Sequence, residues 1–349
     1  MNKIIIANHN NIEESLGGQE SFFFELSKIF DAKRVSYATA ENVLKYNLFS
    51  DVFRIVYRGY VIEKYLKQYE DLFKPNLIIK NSAIGGFVEL KTPQIVVFQD
   101  PFYTIINKSI ENGVFFNLEH YCACIELQRR IAQNAKTVAV SNFMKKDMEL
   151  CGIKCDKVIE EGVDIKKFKT AENKKELREK YMIPLDKKVG IAVTKFIPQK
   201  GWNILAELIN KFQDIHWIVV LTSGVGSKPK LKNVTLLERV SPELMPELYN
   251  ASDFYISTSS VESFGLSSVE ALACNIPIIN YKTGWAWDWW DERLGLRVNE
   301  WNYESFEKAV ENLGKGYEPR KAIIEKGFTL ERMKKDWKEF VDEILNRKV

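Results

Sequence analysis

Residues 258–277 read Thr-Ser-Ser-Val-Glu-Ser-Phe-Gly-Leu-Ser-Ser-Val-Glu-Ala-Leu-Ala-Cys-Asn-Ile-Pro, with two carboxylates, Glu262 and Glu270, separated by seven intervening residues that include a Phe264-Gly265 pair. The apolar run Phe254-Tyr255-Ile256 precedes them, and the strong helix-forming series Val269-Glu270-Ala271-Leu272-Ala273 follows. That succession reads as strand, loop and helix. Glu262 then lies on the loop at the strand's carboxyl end and Glu270 about one turn inside the helix. In an open parallel sheet, ligands bind in the crevice outside those strand ends. The backbone amides around Phe264, Gly265 and Leu266 are helix N-terminal donors without intrahelical partners, which suits an anion. Two acids flanking an anion site fit a ligand that carries both hydroxyls and phosphate, such as a sugar nucleotide.

The same alternation runs outward in both directions. Ile4-Ile5-Ile6 leads into a polar loop over 8–19 and a helical segment from Glu20 to Phe30. Leu77-Ile78-Ile79, Ile95-Val96-Val97-Phe98 and Thr137-Val138-Ala139-Val140 follow, with helical patterns between several of them. A second series comprises Val189-Gly190-Ile191-Ala192-Val193, Trp217-Ile218-Val219-Val220-Leu221, Val234-Thr235-Leu236-Leu237, the run at 254–256, and Pro277-Ile278-Ile279. Short apolar strands alternating with amphipathic helices build parallel sheets. The expected class is therefore α/β, with two doubly wound Rossmann-like domains facing across a cleft. The charged stretch 166–188 marks the boundary, giving one domain over 1–180 and a second over 186–328. The tail, 329–349, reads as one helix whose apolar face carries Leu330, Met333, Trp337, Phe340, Val341 and Ile344.

Composition narrows the classes. A chain of 349 residues is long for a single core and comfortable for two. Lys+Arg 50 against Asp+Glu 47 leaves a formal charge of +3, so there is no basic field for nucleic acid. A weakly basic surface still permits contact with anionic lipid. Met1 to Asn10 reads as a first strand rather than a signal sequence, and no run approaches a membrane span. Cys122, Cys124, Cys151, Cys155 and Cys274 form an odd set of thiols in a large chain, which fits a reducing, cytoplasmic setting, with peripheral membrane contact left open. The spacing of Cys151 and Cys155 lacks a second pair or a nearby His, so no metal site is expected.

The second group of chemistry-bearing residues is Thr194-Lys195-Phe196-Ile197-Pro198-Gln199-Lys200-Gly201-Trp202, just past the first strand of the second series. Lys195 and Lys200 emerge at the carboxyl end of that sheet, where two ammonium groups can neutralise a diphosphate as charge builds on a leaving group. Alone, such a pair reads first as a solvated turn with two surface lysines. Its position ahead of Glu262, with strands between, ties the two stretches together.

Together these residues resemble the retaining glycosyltransferases of family 4, of the glycogen synthase and mannosyltransferase kind, which have the GT-B fold. Members carry Glu, seven residues and Glu with Phe-Gly after the first, as Glu262, Phe264, Gly265 and Glu270 stand here. They carry Arg or Lys, then Pro-Glu-Lys-Gly, matched by Lys195, Pro198, Gln199, Lys200 and Gly201. They also carry Gly-Val-Asp, a spacer and Phe, matched by Gly162-Val163-Asp164 and Phe168, and a Ser closing a strand, here Ser141. The similarity covers most of the chain and is strongest from about 136 to 280.

The resemblance implies an acceptor-binding first domain, a nucleotide-sugar-binding second domain, and a final helix that crosses back to the first. Glu262 would hold hydroxyls of the donor sugar, with Lys195 and Lys200 on the diphosphate. Backbone amides of Phe264, Gly265 and Leu266 would hold sugar and diphosphate. Glu270 would accept hydrogen bonds from the ribose hydroxyls, and Arg239-Val240-Ser241 falls where the family contacts the base. Gly17 and Gly18 fall where a glycine pair lets the backbone approach the donor phosphates. One departure stands out: many members have a His near the end of the fourth strand, where this chain has Gln99 followed by Asp100. Gln can hydrogen-bond a hydroxyl but cannot take a proton. Of three histidines, His9 at the end of the first strand is the candidate for the cleft. The run Trp285-Ala286-Trp287-Asp288-Trp289-Trp290 reads first as packing and second as a sugar-stacking platform or membrane contact.

The reading is a cytoplasmic enzyme that moves a sugar, with retention, from a nucleotide-diphosphate donor to a glycan, lipid or small-molecule acceptor. It needs no cofactor and no metal, because no Asp-x-Asp sits at a suitable strand end and lysines with a helix N-terminus supply the positive charge. The rival readings are a nucleotide-sugar epimerase or sugar phosphorylase on the same scaffold, and a non-catalytic partner subunit that binds nucleotide or glycan. No Walker or G-x-G-x-x-G pattern supports an ATPase or dehydrogenase.

Overall fold

The structure, a computed structural model, describes residues 3–8, 18–36, 51–111, 118–222 and 233–346. The chain forms two compact units, Met1–Glu160 with Lys334–Val349, and Glu161–Met333. Each is built on a six-stranded sheet in which every pairing is parallel.

In the first unit the strands are β1 (Ile4–Asn8), β2 (Lys33–Ser36), β3 (Leu77–Asn81), β4 (Gln94–Phe98), β5 (Lys136–Ala139) and β6 (Lys157–Val158), in the order β2-β1-β3-β4-β5-β6. β1 and β3 are buried along their whole length, as expected for parallel strands covered on both faces. Ile5, Ala7, Val35 and Ile78 pack on Ile62 and Leu66 of the helix Asp51–Phe73. Ser141 closes the β5 segment by capping the helix Asn142–Leu150, its hydroxyl accepting from the Met144 amide at 3.0 Å. Trp337 of the final helix, Leu330–Asn346, is fully buried and packs against Phe22 of the helix Gly18–Ile29 with ring centroids 6.2 Å apart.

In the second unit the strands are β7 (Lys188–Thr194), β8 (Ile215–Leu221), β9 (Val234–Glu238), β10 (Phe254–Ser257), β11 (Ile278–Tyr281) and β12 (Gly295–Val298), in the order β12-β11-β10-β7-β8-β9. The chain winds outward from β7 through β8 and β9, then returns to the other side of β7 as β10. Between β7 and β10 lies the topological switch point, where the connections leave in opposite directions and open a crevice. Trp217 of β8 and Phe254 of β10 meet edge to face at 5.6 Å and anchor the core beneath it.

The charged stretch that reads as a linker is built into the second unit. It contains the helix Lys174–Lys180, whose Arg178 is buried and donates to the Ala251 carbonyl at 2.9 Å and to Asp253 at 2.7 Å, while Lys174 pairs with Asp253 at 2.9 Å. High charge density reads as solvated surface along the chain, but here Asp253 at the foot of β10 takes up Lys174 and Arg178, while Lys167 and Lys180 pair with Glu243 and Glu247. The first unit also holds a buried pair that its strand pattern conceals. Lys80 of β3 and Glu63 lie 3.6 Å apart, each about 2% exposed. Glu63 also accepts from the Phe87 and Val88 amides, both at 2.8 Å, so it ties the loop after β3 to the helix Asp51–Phe73. Desolvation holds Lys80 below the ordinary lysine range, with the Glu63 charge acting the other way.

Candidate functional site

The site grows from the two loops that leave β7 and β10 at the switch point. After β7, Lys195 is exposed, and Pro198–Lys200 makes a single 3₁₀ turn that ends at Gly201. Gly201 has φ of 63° and serves as the N-cap of the helix Trp202–Lys211. A side chain there would run into the Thr258 carbonyl oxygen, just past β10, so the two loops are packed backbone to backbone. Hydrogen bonds stitch them: Thr258 Oγ1 donates to the Lys200 carbonyl at 3.0 Å, and the Ser260 amide and hydroxyl donate to the Gln199 carbonyl at 2.9 and 3.1 Å. The Trp301 indole donates to the Thr258 carbonyl at 2.7 Å and holds the same corner from the other side.

This packing brings together residues that are far apart in sequence. Lys200 Nζ lies 2.6 Å from Glu262 Oε1, with the two side chains 25% and 21% exposed. Both are thus open to a ligand and already neutralise each other. The Glu262 amide donates to Thr283 Oγ1 at 3.0 Å, which fixes the loop from the β11 side. Next along the chain, Gly265 is the N-cap of the helix Leu266–Ala273, has φ of 103° and carries no side chain that could cap it. The first amides of such a helix point along its axis, the arrangement that suits negative charge.

Glu270 sits one turn inside that helix with a different partner. Tyr249 donates its hydroxyl to Glu270 Oε2 at 2.8 Å. The residue is only half-buried as a whole, but its carboxyl end is enclosed. Burial pushes Glu270 up to about 7, with the Tyr249 hydrogen bond and the Lys167 charge acting downward. A carboxyl raised from its ordinary value near 4.5 binds a proton more tightly when folded. Its contribution to stability is therefore fully present below that ordinary value and is lost as pH rises through about 7. Glu270→Gln should accordingly melt progressively higher than the parent protein as pH is raised from about 5 to 8. A melting-temperature difference that stays constant across that range would contradict the assignment.

The remaining expected residues separate by unit. Arg239 follows β9 in a left-handed conformation, φ 50°, with its amide donating to the Leu221 carbonyl at 3.0 Å, and Arg239 is exposed while Val240 is half-buried. They stand at the carboxyl edge of the second sheet. In the first unit Gln99 is buried and Asp100 half-buried, both just past β4. Gly18 opens the helix Gly18–Ile29, and its neighbour Gln19 donates to Asp100 Oδ2 at 3.5 Å. His9 and Gly17 lie outside the described residues. Tyr249, Thr283 and Trp301 were not legible as site residues: each acts through one hydrogen bond to a residue remote in sequence, and no local pattern marks it. Among the described residues no group of acidic, His or Cys side chains is arranged to hold a metal ion, and no helix is long and apolar enough to cross a membrane.

Two Rossmann-like units, each wound on a parallel sheet, with a basic and acidic crevice at the switch point of the second, define the GT-B class. Residues 173–329 match the family described as glycosyl transferases group 1. The match lies within the second unit. Over 177 residues it is 28% identical to D-inositol 3-phosphate glycosyltransferase of Segniliparus rotundus, covering 45% of this chain and 38% of that protein. The chain thus aligns with well under half the length of this curated relative. In structure it is similar to sucrose-phosphate synthase from Thermosynechococcus elongatus, with a TM-score of 0.82 at 16% identity over 99% of this chain and 100% of the other. It is also similar to Anabaena HepE in complex with UDP and glucose, with a TM-score of 0.75 at 17% identity over 98% and 100% of the two chains.

Proposed function

We propose that this chain transfers a sugar from a nucleotide-diphosphate donor to an acceptor hydroxyl with retention of configuration, and that the second unit binds the donor. The observation that carries the reading is the 2.6 Å pair of Lys200 and Glu262 beside the uncapped helix N-terminus at the switch point. Phosphate needs cations and amide donors, whereas a sugar needs a carboxylate to accept from its hydroxyls. Both sets stand within one crevice. The solved Anabaena protein in complex with UDP-glucose, similar in fold, supports a donor of this kind.

On this reading the diphosphate displaces part of the Lys200–Glu262 pairing. Lys200 turns its charge to phosphate oxygens, and Glu262 is left to accept from sugar hydroxyls. Glu270 takes the ribose hydroxyls at the other end of the ligand, and the Arg239-Val240 turn borders the base. The bond from the anomeric carbon to the phosphate oxygen breaks, the acceptor oxygen bonds to that carbon from the same face, and its proton passes to an oxygen of the departing diphosphate. Lys195, Lys200 and the amides at Phe264 to Leu266 hold the charge that builds there, so the step draws on no metal. The acceptor falls to the first unit, where Gln99, Asp100 and Gln19 offer hydrogen-bonding groups to a glycan, a small molecule or a lipid headgroup at a membrane surface.

The test is a melting-temperature panel with UDP, GDP and ADP sugars, followed by nucleotide release with and without acceptor. One donor class should raise the midpoint by several degrees, and Glu262→Ala should abolish the gain from the sugar while retaining some from the free diphosphate. If no nucleotide moves the midpoint and Glu262→Ala changes nothing, the transferase reading fails.

A further inference from the structure

The tryptophan run after β11 stands apart from everything the site has used so far. Trp285 is 1% exposed, and its indole stacks on Trp290 with centroids 5.8 Å apart and 3° between planes. Phe328 closes on it edge to face at 5.8 Å and also meets Phe264 at 5.5 Å. The cluster therefore reaches the Phe264-Gly265 loop directly, and three polar contacts aim at that loop. The Trp285 amide donates to the Phe264 carbonyl at 3.0 Å. Trp285 Nε1 donates to Ser268 Oγ at 2.8 Å, and the Ser268 hydroxyl donates to the Gly265 carbonyl at 2.7 Å. A side chain at Gly284 would run into the Phe264 carbonyl, so the approach is as close as the backbone allows.

We propose that Trp285 is a positioning residue for the diphosphate site, acting through Ser268. The indole N–H orients the Ser268 hydroxyl toward the Gly265 carbonyl, and this relay holds the carbonyl of the N-cap residue away from the ligand. The amides of the first helical turn are thereby left facing the anion. Stacking on Trp290 and the edge-to-face contact with Phe328 keep the indole from rotating, because a buried ring packed in this way has no alternative rotamer that preserves its contacts. The effect of the relay falls on the first-turn amides that face the diphosphate, and none of its groups reaches the base segment Arg239-Val240.

This inference rests on the donor-site reading above, and the experiment separates the two. UDP, GDP and ADP binding to the full chain is measured by calorimetry, and the best-bound diphosphate is compared with its monophosphate. Trp285→Phe keeps an aromatic ring against Trp290 but removes the N–H donor together with the five-membered ring, whereas Ser268→Ala removes the hydroxyl alone. Each should weaken the diphosphate about five- to tenfold, as expected for one lost hydrogen bond in a positioned network, and leave the monophosphate within about twofold. The double variant should be no weaker than either single one, because both break the same relay. Melting temperatures within a few degrees of the parent show that the variants fold. If the parent binds no diphosphate, the donor-site reading falls and this inference falls with it. If the parent binds but Trp285→Phe and Ser268→Ala match it, or weaken the two nucleotides equally, or act additively, the relay is refuted while the donor site stands.

Discussion

Lys200→Ala is expected to lower kcat by about 100- to 1000-fold with little change in melting temperature. The magnitude is that of removing one preorganised group aimed at charge that develops in the transition state. Lys200 sits on a 3₁₀ turn whose carbonyls are held by Thr258 and Ser260, so its backbone is fixed while its ammonium remains a quarter exposed. Removing the ammonium also leaves Glu262 without its 2.6 Å partner, which places an uncompensated carboxylate beside an incoming diphosphate. The Michaelis constant for the donor should therefore rise together with the fall in kcat. Lys200→Arg keeps the charge but changes its geometry, and should recover only part of the loss. Steady-state kinetics with the donor found in the melting panel decides the matter. A Lys200→Ala enzyme that retains kcat within about threefold would remove Lys200 from the chemistry.

Gly201→Ala is the second variant with a large expected effect, and it touches no ligand. Gly201 lies in the left-handed region, φ 63°, and a Cβ there meets the backbone of Thr258. The conformational strain costs about 1–3 kcal/mol by itself. The clash adds to this, because the obstacle is a strand-end carbonyl held by the Trp301 indole at 2.7 Å. The lysine turn must then move away from β10, which lengthens the Lys200–Glu262 contact. A displacement of about 1 Å at a catalytic group is enough for a hundredfold loss of rate. We therefore expect a melting temperature several degrees lower and kcat/KM reduced about 100-fold. Gly314→Ala is the matched control, since a side chain there meets nothing within 4 Å. Gly201→Ala that behaves like Gly314→Ala in both measurements would show that the loops are not packed as described.

The part of the site that was legible along the chain is the part carried by short local patterns. Glu262, Phe264, Gly265 and Glu270 fall on one strand-loop-helix unit, and their spacing alone places one acid on the loop and the other on the helix. Lys195 and Lys200 were readable because they follow an apolar run that can only be a buried strand. The partners of these residues were not legible. Tyr249 reaches Glu270 from a different helix, and Trp301 reaches Thr258 from the loop after β12. Nothing in the local sequence of either residue signals those contacts. The tryptophan run was visible as unusual, but its direction was not: the edge-to-face contact with Phe328 and the bond to Ser268 arise only once β11 lies beside β10. The charged stretch 166–188 misled in the opposite way, because several of its cations are taken up by Asp253, Glu243, Glu247 and backbone carbonyls of the second unit.

By itself, the sequence determined the two wound sheets and where the second one presents its carboxylates, lysines and helix N-terminal amides. Apolar runs of three to five residues can bury both faces only in a covered parallel sheet, and a helix N-terminus after such a strand offers amides to an anion whatever surrounds it. Only the tertiary structure decided which charges meet. Lys200 and Glu262 pair because β10 returns to the far side of β7, and Lys80 and Glu63 are sealed together because a helix covers β3. Such contacts depend on strand order and on the backbone packing at Gly201, which join residues distant along the chain, and local periodicity carries no information about either.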